Sequence, residues 1–191
     1  MNICLYGASS SAIAKDYINP TEALGAKIAD RGHTLIYGGG AAGLMGAAAR
    51  GACSRGGKII GVVPSFLNVD GILFKDCGEL IFTETMRERK QLMEQKSDAF
   101  IMTPGGLGTF DEFFEILTLK QLGRHSKPVA VFNINGYFNS LIEQLKNAVH
   151  KQFMTPEALE LCLFTDSADK LLNYLEDGAA AHSQARIYKN L

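Results

Sequence analysis

The sequence predicts a single α/β domain in which a parallel sheet is covered by helices on both faces. Short apolar runs alternate with longer helical patterns along the 191 residues, as in parallel strands joined by right-handed helical crossovers. The runs at 59–63 and 129–132 contain no polar side chain, which indicates strands buried on both faces. We therefore expect three layers and a doubly wound sheet.

Local signals mark the bounds of some of the predicted elements. The third apolar run is stopped by Pro64, and Thr85 precedes a helical pattern as a candidate cap. Strands are predicted at 2–6, 34–37, 58–63, 80–83, 99–103, 128–133 and 161–164. Helices are predicted at 20–31, 43–55, 86–96, 110–122, 138–151 and 168–175. Without a linker or repeat, one domain is expected over 1–176, and the small, polar stretch 177–191 is expected to be a loosely ordered tail.

The overall charge excludes several classes of partner. Net charge is −1 and the pI is about 6.4, so no electrostatic footprint for nucleic acid or an anionic membrane is expected. No apolar run approaches the roughly 18 residues of a membrane span. Lys15 and Asp16 soon follow the short apolar start, unlike a signal peptide. The expectation is a cytoplasmic protein with a small anionic ligand.

Four loops rich in small residues follow predicted strands, at 7–11, 38–43, 83–85 and 104–109. Ligands of open parallel sheets bind at the carboxyl ends of the strands. Since all four loops are expected at that edge, their co-occurrence is the strongest signal for a binding site.

The segment PGGLGTFDE at 104–112 predicts an anion site. Its glycines permit close backbone approach, and a helix expected to start at Thr109 would offer free N–H groups and its dipole to a phosphate. Glu112, expected in the first turn, is a candidate for acid–base or nucleophilic work on an attached sugar. Thr109 and Glu112 also have the spacing of a capping box, which predicts a purely structural role equally well.

The segment TMRERK at 85–90 places three cations in the first turns of a helix. Cations there oppose the helix dipole, so we favour an anion-directed role for Arg89 and its neighbours over a solvated charged face. Thr85 and Glu88 again have capping-box spacing.

The segment GGGAAGLMG at 38–46 contains a GxGxxG pattern, but the ribose-binding acid of dinucleotide folds is missing, because the next strand ends in Pro64. A tight turn beside a smaller nucleotide is the better interpretation, with Gly39 and Gly40 as candidate contacts. Ser9 and its serine neighbours fit a phosphate contact and a plain polar loop equally well. The histidines are far apart and lack ligand spacing, so no metal site is expected. No cofactor is expected either.

These motifs resemble the LOG family, the cytokinin riboside 5′-monophosphate phosphoribohydrolases long labelled as possible lysine decarboxylases. The signature PGGxGTxxE is complete, the M-x-x-R-K stretch is met by Met86, Arg89 and Lys90, and GGG-x-x-GLMG matches 38–46. The first-strand loop, with an extra Ala8, and the later QLG, KPV and NINGY runs are also similar. The resemblance covers residues 2 to about 165.

The resemblance implies a Rossmann-like fold, a homodimer, and hydrolysis of the N-glycosidic bond of a purine nucleoside 5′-monophosphate, such as AMP or an N6-prenylated relative. It implies that Arg89 and Glu112 are the catalytic pair. Arg87 stands where many members have His and adds positive charge beside the site. The implied substrate-binding residues are Lys90, Gly105, Gly106, Leu107, Gly108, Thr109 and Thr118.

Three alternatives differ in class. A non-catalytic nucleotide- or molybdenum-cofactor-binding module would need the glycine loops, but it has no use for both Arg89 and Glu112. An NAD-dependent oxidoreductase is disfavoured by the missing ribose acid. A pyridoxal phosphate decarboxylase is disfavoured because no lysine lies in a Schiff-base context.

Overall fold

The computed structural model describes residues 1–68, 72–74 and 78–189. Its strands are β1 (Asn2–Tyr6), β2 (Thr34–Tyr37), β3 (Ile59–Pro64), β4 (Glu79–Thr83), β5 (Ala99–Met102), β6 (Val129–Phe132) and β7 (Leu163–Thr165). Its α-helices are α1 (Lys15–Asp30), α2 (Gly43–Ser54), α3 (Met86–Lys96), α4 (Leu107–Gln121), α5 (Asn139–His150) and α6 (Ala168–Lys189). Short 3-10 helices lie at Ser65–Leu67, Ile134–Gly136 and Pro156–Leu161.

The strands form a seven-stranded sheet in the order β4-β3-β2-β1-β5-β6-β7, and every neighbouring pair among these strands is parallel. The chain winds outward from β1 in one direction and then from β5 in the other. Ile3 pairs with Ala99 across this reversal. The chain therefore passes to opposite faces of the sheet after β1 and after β5, and this marks a switch point, where ligands of such sheets bind.

Helices cover both faces of the sheet, which confirms the predicted three-layer, doubly wound α/β fold. On one face, Ile3 and Leu5 pack in a core with α1, α2 and α6; on the other, Cys4 and Tyr6 pack with α3 and α4. Since successive strand residues point to opposite faces, both sets must be apolar. This explains why the strands are uniformly apolar rather than alternating.

Helix α1 begins at Lys15, five residues before the predicted start at Pro20, and Pro20 lies inside it. A proline cannot donate the backbone hydrogen bond to the carbonyl four residues earlier. That carbonyl, on Asp16, instead accepts a hydrogen bond from the side-chain amide of Asn135 at 3.4 Å. A contact from 119 residues away thus compensates for the missing donor, and no local sequence pattern predicts it.

Two other helix boundaries differ from the prediction. Helix α4 begins at Leu107 rather than Phe110, and α6 continues to Lys189 rather than ending at Leu175. The apolar periodicity of α6 fades after Leu175. Residues 179–181, however, are alanines, and alanine has the highest helix propensity of all residues, which favours continuation of the helix. The loose attachment expected for 177–191 stays a prediction. None of the helices in the described part of the chain has the length and apolar character of a membrane span.

Candidate active site

A cavity of about 450 Å³ opens at the carboxyl edge of the sheet, beside the switch point. Its volume is in the usual range for small-molecule sites. The loops after β1 and β5 meet beneath it, where the Ala8 N–H donates to the carbonyl of Pro104 at 3.1 Å. The polar part of its lining includes Ser9, Arg89, Thr109, Asp111 and Glu112. Two distant motifs, 85–90 and 104–112, are thereby brought together as predicted.

The N-terminus of α4 forms one wall of the cavity. Gly106 is the N-cap residue, and no side chain caps this end of the helix. The first four N–H groups of a helix have no acceptor within the helix, and Gly106, Gly108 and Thr109 line the cavity. With the positive end of the helix dipole, this arrangement suits a phosphate.

Thr109 is not a helix cap, so the capping-box interpretation of Thr109 and Glu112 is wrong. Because α4 begins at Leu107, Thr109 is its third residue and Glu112 lies in the second turn rather than the first. The Thr109 side chain is buried against Gly105, where an added Cβ would lie 2.1 Å from the Thr109 hydroxyl oxygen. Gly105 therefore has to be a glycine for the two segments to pack.

Thr85, by contrast, does cap α3. Its hydroxyl accepts a hydrogen bond from the Glu88 N–H at 3.2 Å, and the Glu88 carboxylate accepts one from the Thr85 N–H at 3.3 Å. The capping box predicted there is confirmed. Arg89 is the fourth residue of α3, and its side chain contacts both Val62 on β3 and Glu112 on α4.

Arg89 and Glu112 form a buried ion pair at the base of the cavity. Nη1 of Arg89 donates to Oε1 of Glu112 at 2.5 Å, and the side chains are 8% and 9% exposed. Nε of Arg89 also donates to the carbonyl of Val62 at 3.0 Å. Residues from β3, α3 and α4 therefore fix one guanidinium against one carboxylate, within reach of a ligand on the α4 N-terminus.

Burial raises the pKa of the Glu112 carboxyl above its ordinary value, and this outweighs the opposing attraction of Arg89. Asp111 adds to the rise, while Lys90 acts against it. A desolvated carboxyl with a perturbed pKa in a cleft is typical of a functional group. When ionised, it can stabilise positive charge on a bound sugar, attack it, or activate water.

Lys90 does not line the cavity. Its Nζ donates to Asp111 at 3.0 Å and forms an ion pair with Glu115, and these contacts raise the pKa of the lysine. In this state Lys90 joins α3 to α4. Gly39 and Gly40 are not among the residues that line the cavity. The Phe74 N–H donates to the Gly39 carbonyl at 3.0 Å, and Gly40 forms an antiparallel bridge with Leu73.

Leu107 and Thr118 lie on the outer surface of α4 and line a shallow groove there. Leu107 is 90% exposed. Thr118 is six residues beyond Glu112, which corresponds to about 9 Å along the helix. Neither of these implied substrate contacts faces the cavity that holds Arg89 and Glu112, although both belong to the same helix.

Several groups at the site were given no function in the sequence analysis. The Val62 carbonyl holds Arg89, yet a backbone group carries no signal in a sequence. Met45, Leu67 and Met86 form an apolar part of the cavity lining. The Tyr137 hydroxyl donates to the Gly105 carbonyl at 2.7 Å and so supports the glycine loop. Only the NINGY motif, which ends in this tyrosine, could have indicated it.

No group of three or more metal-ligating side chains occurs within residues 1–68, 72–74 and 78–189. The site instead combines helix N–H groups, one guanidinium and one buried carboxylate. Such a set can bind an anion such as a phosphate and place a carboxylate beside the group attached to it.

Comparisons with known proteins agree with this arrangement. The family model described as "possible lysine decarboxylase" matches residues 45–175. The cytokinin riboside 5′-monophosphate phosphoribohydrolase LOG1 of Arabidopsis thaliana is 37% identical over 188 residues, covering 98% of this chain and 88% of the relative. LOG3 of the same plant has the same enzyme name. It is 36% identical over 182 residues, which cover 95% of this chain and 85% of the relative.

A solved structure supports the fold. The molybdenum cofactor binding protein from the phototrophic bacterium Rippkaea orientalis superposes with a TM-score of 0.71 and 24% identity, covering 92% of this chain and 95% of the other. At that identity the likeness concerns the fold alone. The sequence relatives cover nearly the whole chain at higher identity, and the chain therefore belongs to the LOG family.

Proposed function

We propose that this protein hydrolyses the N-glycosidic bond of purine nucleoside 5′-monophosphates, such as AMP or cytokinin riboside monophosphates, to give the free base and ribose 5-phosphate. The observation that carries the proposal is the buried Arg89–Glu112 pair beside the uncapped N-terminus of α4. A carrier or binding module needs the glycine loops to hold an anion, but it has no use for both a buried carboxylate and its arginine partner.

The phosphate binds the N–H groups of Gly106, Gly108 and Thr109, and Ser9 faces it from the loop after β1. This anchor places the ribose towards Glu112. Apolar Met45, Leu67 and Met86 offer a surface for the base. The proposal thus assigns the three parts of a nucleotide to three chemically different parts of one cavity.

Cleavage breaks the bond between the anomeric carbon and the base nitrogen, and the bonding electrons leave with the base. Positive charge develops on the sugar, and ionised Glu112 stabilises it. Glu112 then either activates a water molecule or attacks the carbon directly; in both routes water finally supplies the new hydroxyl, and its other proton goes to the base. Arg89 holds Glu112 in register and assists in binding the substrate.

A homodimer is part of the proposal. Helix α5 is amphipathic, yet none of its residues is buried, and Leu122 and Phe153 are 68% and 86% exposed. A second copy packed on the outer surfaces of α4 and α5 would cover these side chains. It would also bring Thr118 of one subunit close to a substrate bound in the cavity of the other subunit. The cytoplasmic location likewise stays an expectation.

The test is base release from matched pairs of compounds. The purified protein is incubated separately with AMP, N6-isopentenyladenosine monophosphate and the two corresponding nucleosides, and free base is measured by chromatography. We expect base from the monophosphates but not from the nucleosides, because the phosphate anchors the substrate. Release at similar rates from the nucleosides would contradict the α4 anchor. Binding without release would favour the non-catalytic module.

A further inference from the structure

Gly38 follows β2 and lies against the guanidinium of Arg89. A Cβ added at Gly38 would be 2.3 Å from Nη2 and 3.4 Å from Cζ of Arg89. The first distance is far below any real carbon contact. Either the arginine or the backbone at Gly38 would therefore have to move if the residue carried a side chain.

Arg89 has little freedom to move away. Its Nε is bonded to the Val62 carbonyl at 3.0 Å, its Nη1 to Glu112 at 2.5 Å, and the side chain is buried. Moving Nη2 to an ordinary contact distance requires a displacement of about 1 Å, which must lengthen at least one of these bonds. The missing Cβ of Gly38 is thus a geometric condition for the ion pair.

The neighbouring glycine serves a different purpose. Gly39 has a φ of +79°, a conformation that other residues rarely adopt, and its added Cβ would lie 2.3 Å from Val63 Cγ2. Gly38 does not have a positive φ, so its backbone does not lie in the left-handed region that favours glycine. What requires glycine at Gly38 is space, chiefly the space that the Arg89 guanidinium occupies at 2.3 Å and secondarily that of the Met45 sulfur at 2.9 Å.

We propose that Gly38 is a positioning residue for the Arg89–Glu112 pair: the absence of its side chain sets where the guanidinium lies against the carboxylate. The inference rests on the proposed function, because it assigns Gly38 a part in that reaction. It gives the first glycine of GGGAAGLMG a task other than contact with a nucleotide.

The experiment is a double-mutant cycle of Gly38→Ala and Arg89→Ala. In the otherwise native protein we expect Gly38→Ala to lower kcat for AMP by about 100-fold, since a misplacement of 1 Å can cost that much. In the Arg89→Ala background the same substitution should have no further effect, because the clashing group is gone. An equal loss of kcat in both backgrounds would overturn the proposal.

Met45 needs its own control, because its Sδ would lie 2.9 Å from the same added Cβ. If the clash with Arg89 is responsible, Gly38→Ala should lower kcat by a similar factor when Met45 is already alanine. Disappearance of the loss in that background would assign the effect to Met45 and overturn the role given to Arg89.

Unfolding measurements separate this inference from the proposed function. Gly38→Ala should lower the melting temperature when Arg89 is present and much less when Arg89 is alanine. This coupling exists whether or not the protein hydrolyses any monophosphate. Absence of base release from the native protein would therefore contradict the proposed function alone, while equal shifts of melting temperature in both backgrounds would contradict the contact.

Discussion

At the scale of single residues, the site depends on how burial and pairing are balanced at Glu112. Desolvation disfavours its charged form, whereas Arg89 favours it, and burial has the larger effect on the pKa. Breaking a buried pair by removing one partner leaves an uncompensated charge. Substitutions at Glu112 therefore have to keep a hydrogen-bond acceptor for Arg89 if chemistry is to be separated from folding.

Glu112→Gln meets that condition, because the amide oxygen can still accept from Arg89. We expect kcat for AMP to fall by at least about 100-fold, as for the loss of a catalytic acid or base, while AMP affinity measured by calorimetry stays close to that of the native protein. Glu160→Gln, at an exposed glutamate, is the matched control and should leave both unchanged. Near-native kcat in Glu112→Gln would remove Glu112 from the mechanism.

The raised pKa of Glu112 predicts the pH dependence of turnover. The reaction needs the ionised carboxylate, so kcat should fall as the pH is lowered through a pKa that lies above the ordinary value of 4.5. The linked effect on stability has the opposite direction. Since folding raises the pKa, this group's contribution to stability is fully present below its unfolded pKa and is lost as the pH rises through the folded pKa. An acid limb of kcat centred at or below 4.5 would contradict the burial argument.

At the scale of elements, the same sequence spacing has two outcomes. Thr85-x-x-Glu88 forms a capping box, but Thr109-x-x-Glu112 does not, because α4 has already begun at Leu107. The glycines before Leu107 allow α4 to begin at that residue. Because Leu107 is exposed, it does not extend the apolar periodicity of the helix, and the sequence pattern therefore did not indicate this start. This difference frees Glu112 from a structural task and places it beside Arg89.

Thr85→Ala removes the cap of the helix that carries Arg89. We expect the free energy of unfolding, measured with urea, to fall by about 1 kcal/mol, because one helix-end N–H loses its acceptor. Thr85→Ser keeps a hydroxyl and should retain most of the stability. If serine and alanine were equally destabilising, the methyl group and not the cap would be responsible.

At the scale of the whole molecule, the order of layers could be predicted from the sequence, since apolar strands and helical crossovers admit few arrangements. The two signature motifs also indicated which loops meet. Contacts between distant residues could not be predicted: Asn135 on the Asp16 carbonyl, or the Val62 carbonyl on Arg89. Backbone acceptors and long-range donors leave no periodic pattern in a sequence.

The outer surface of α4 and α5 leads to a prediction about assembly. We expect the native protein to have the mass of a dimer by light scattering, and Leu122→Glu together with Phe153→Glu to shift it to a monomer, because charges would replace buried apolar contacts. Lys170→Glu, on exposed α6 surface, should leave the mass unchanged. A native monomer, or an unchanged mass in the double variant, would contradict this interface.

The central claim concerns which bond of a nucleotide is broken, and the products formed from AMP test it most directly. Adenine and ribose 5-phosphate should be quantified together after incubation with the purified protein. The mechanism predicts that they appear in equal amounts and that neither appears with Glu112→Gln at a comparable rate. Adenosine and inorganic phosphate as products, or bound AMP that stays intact, would contradict it.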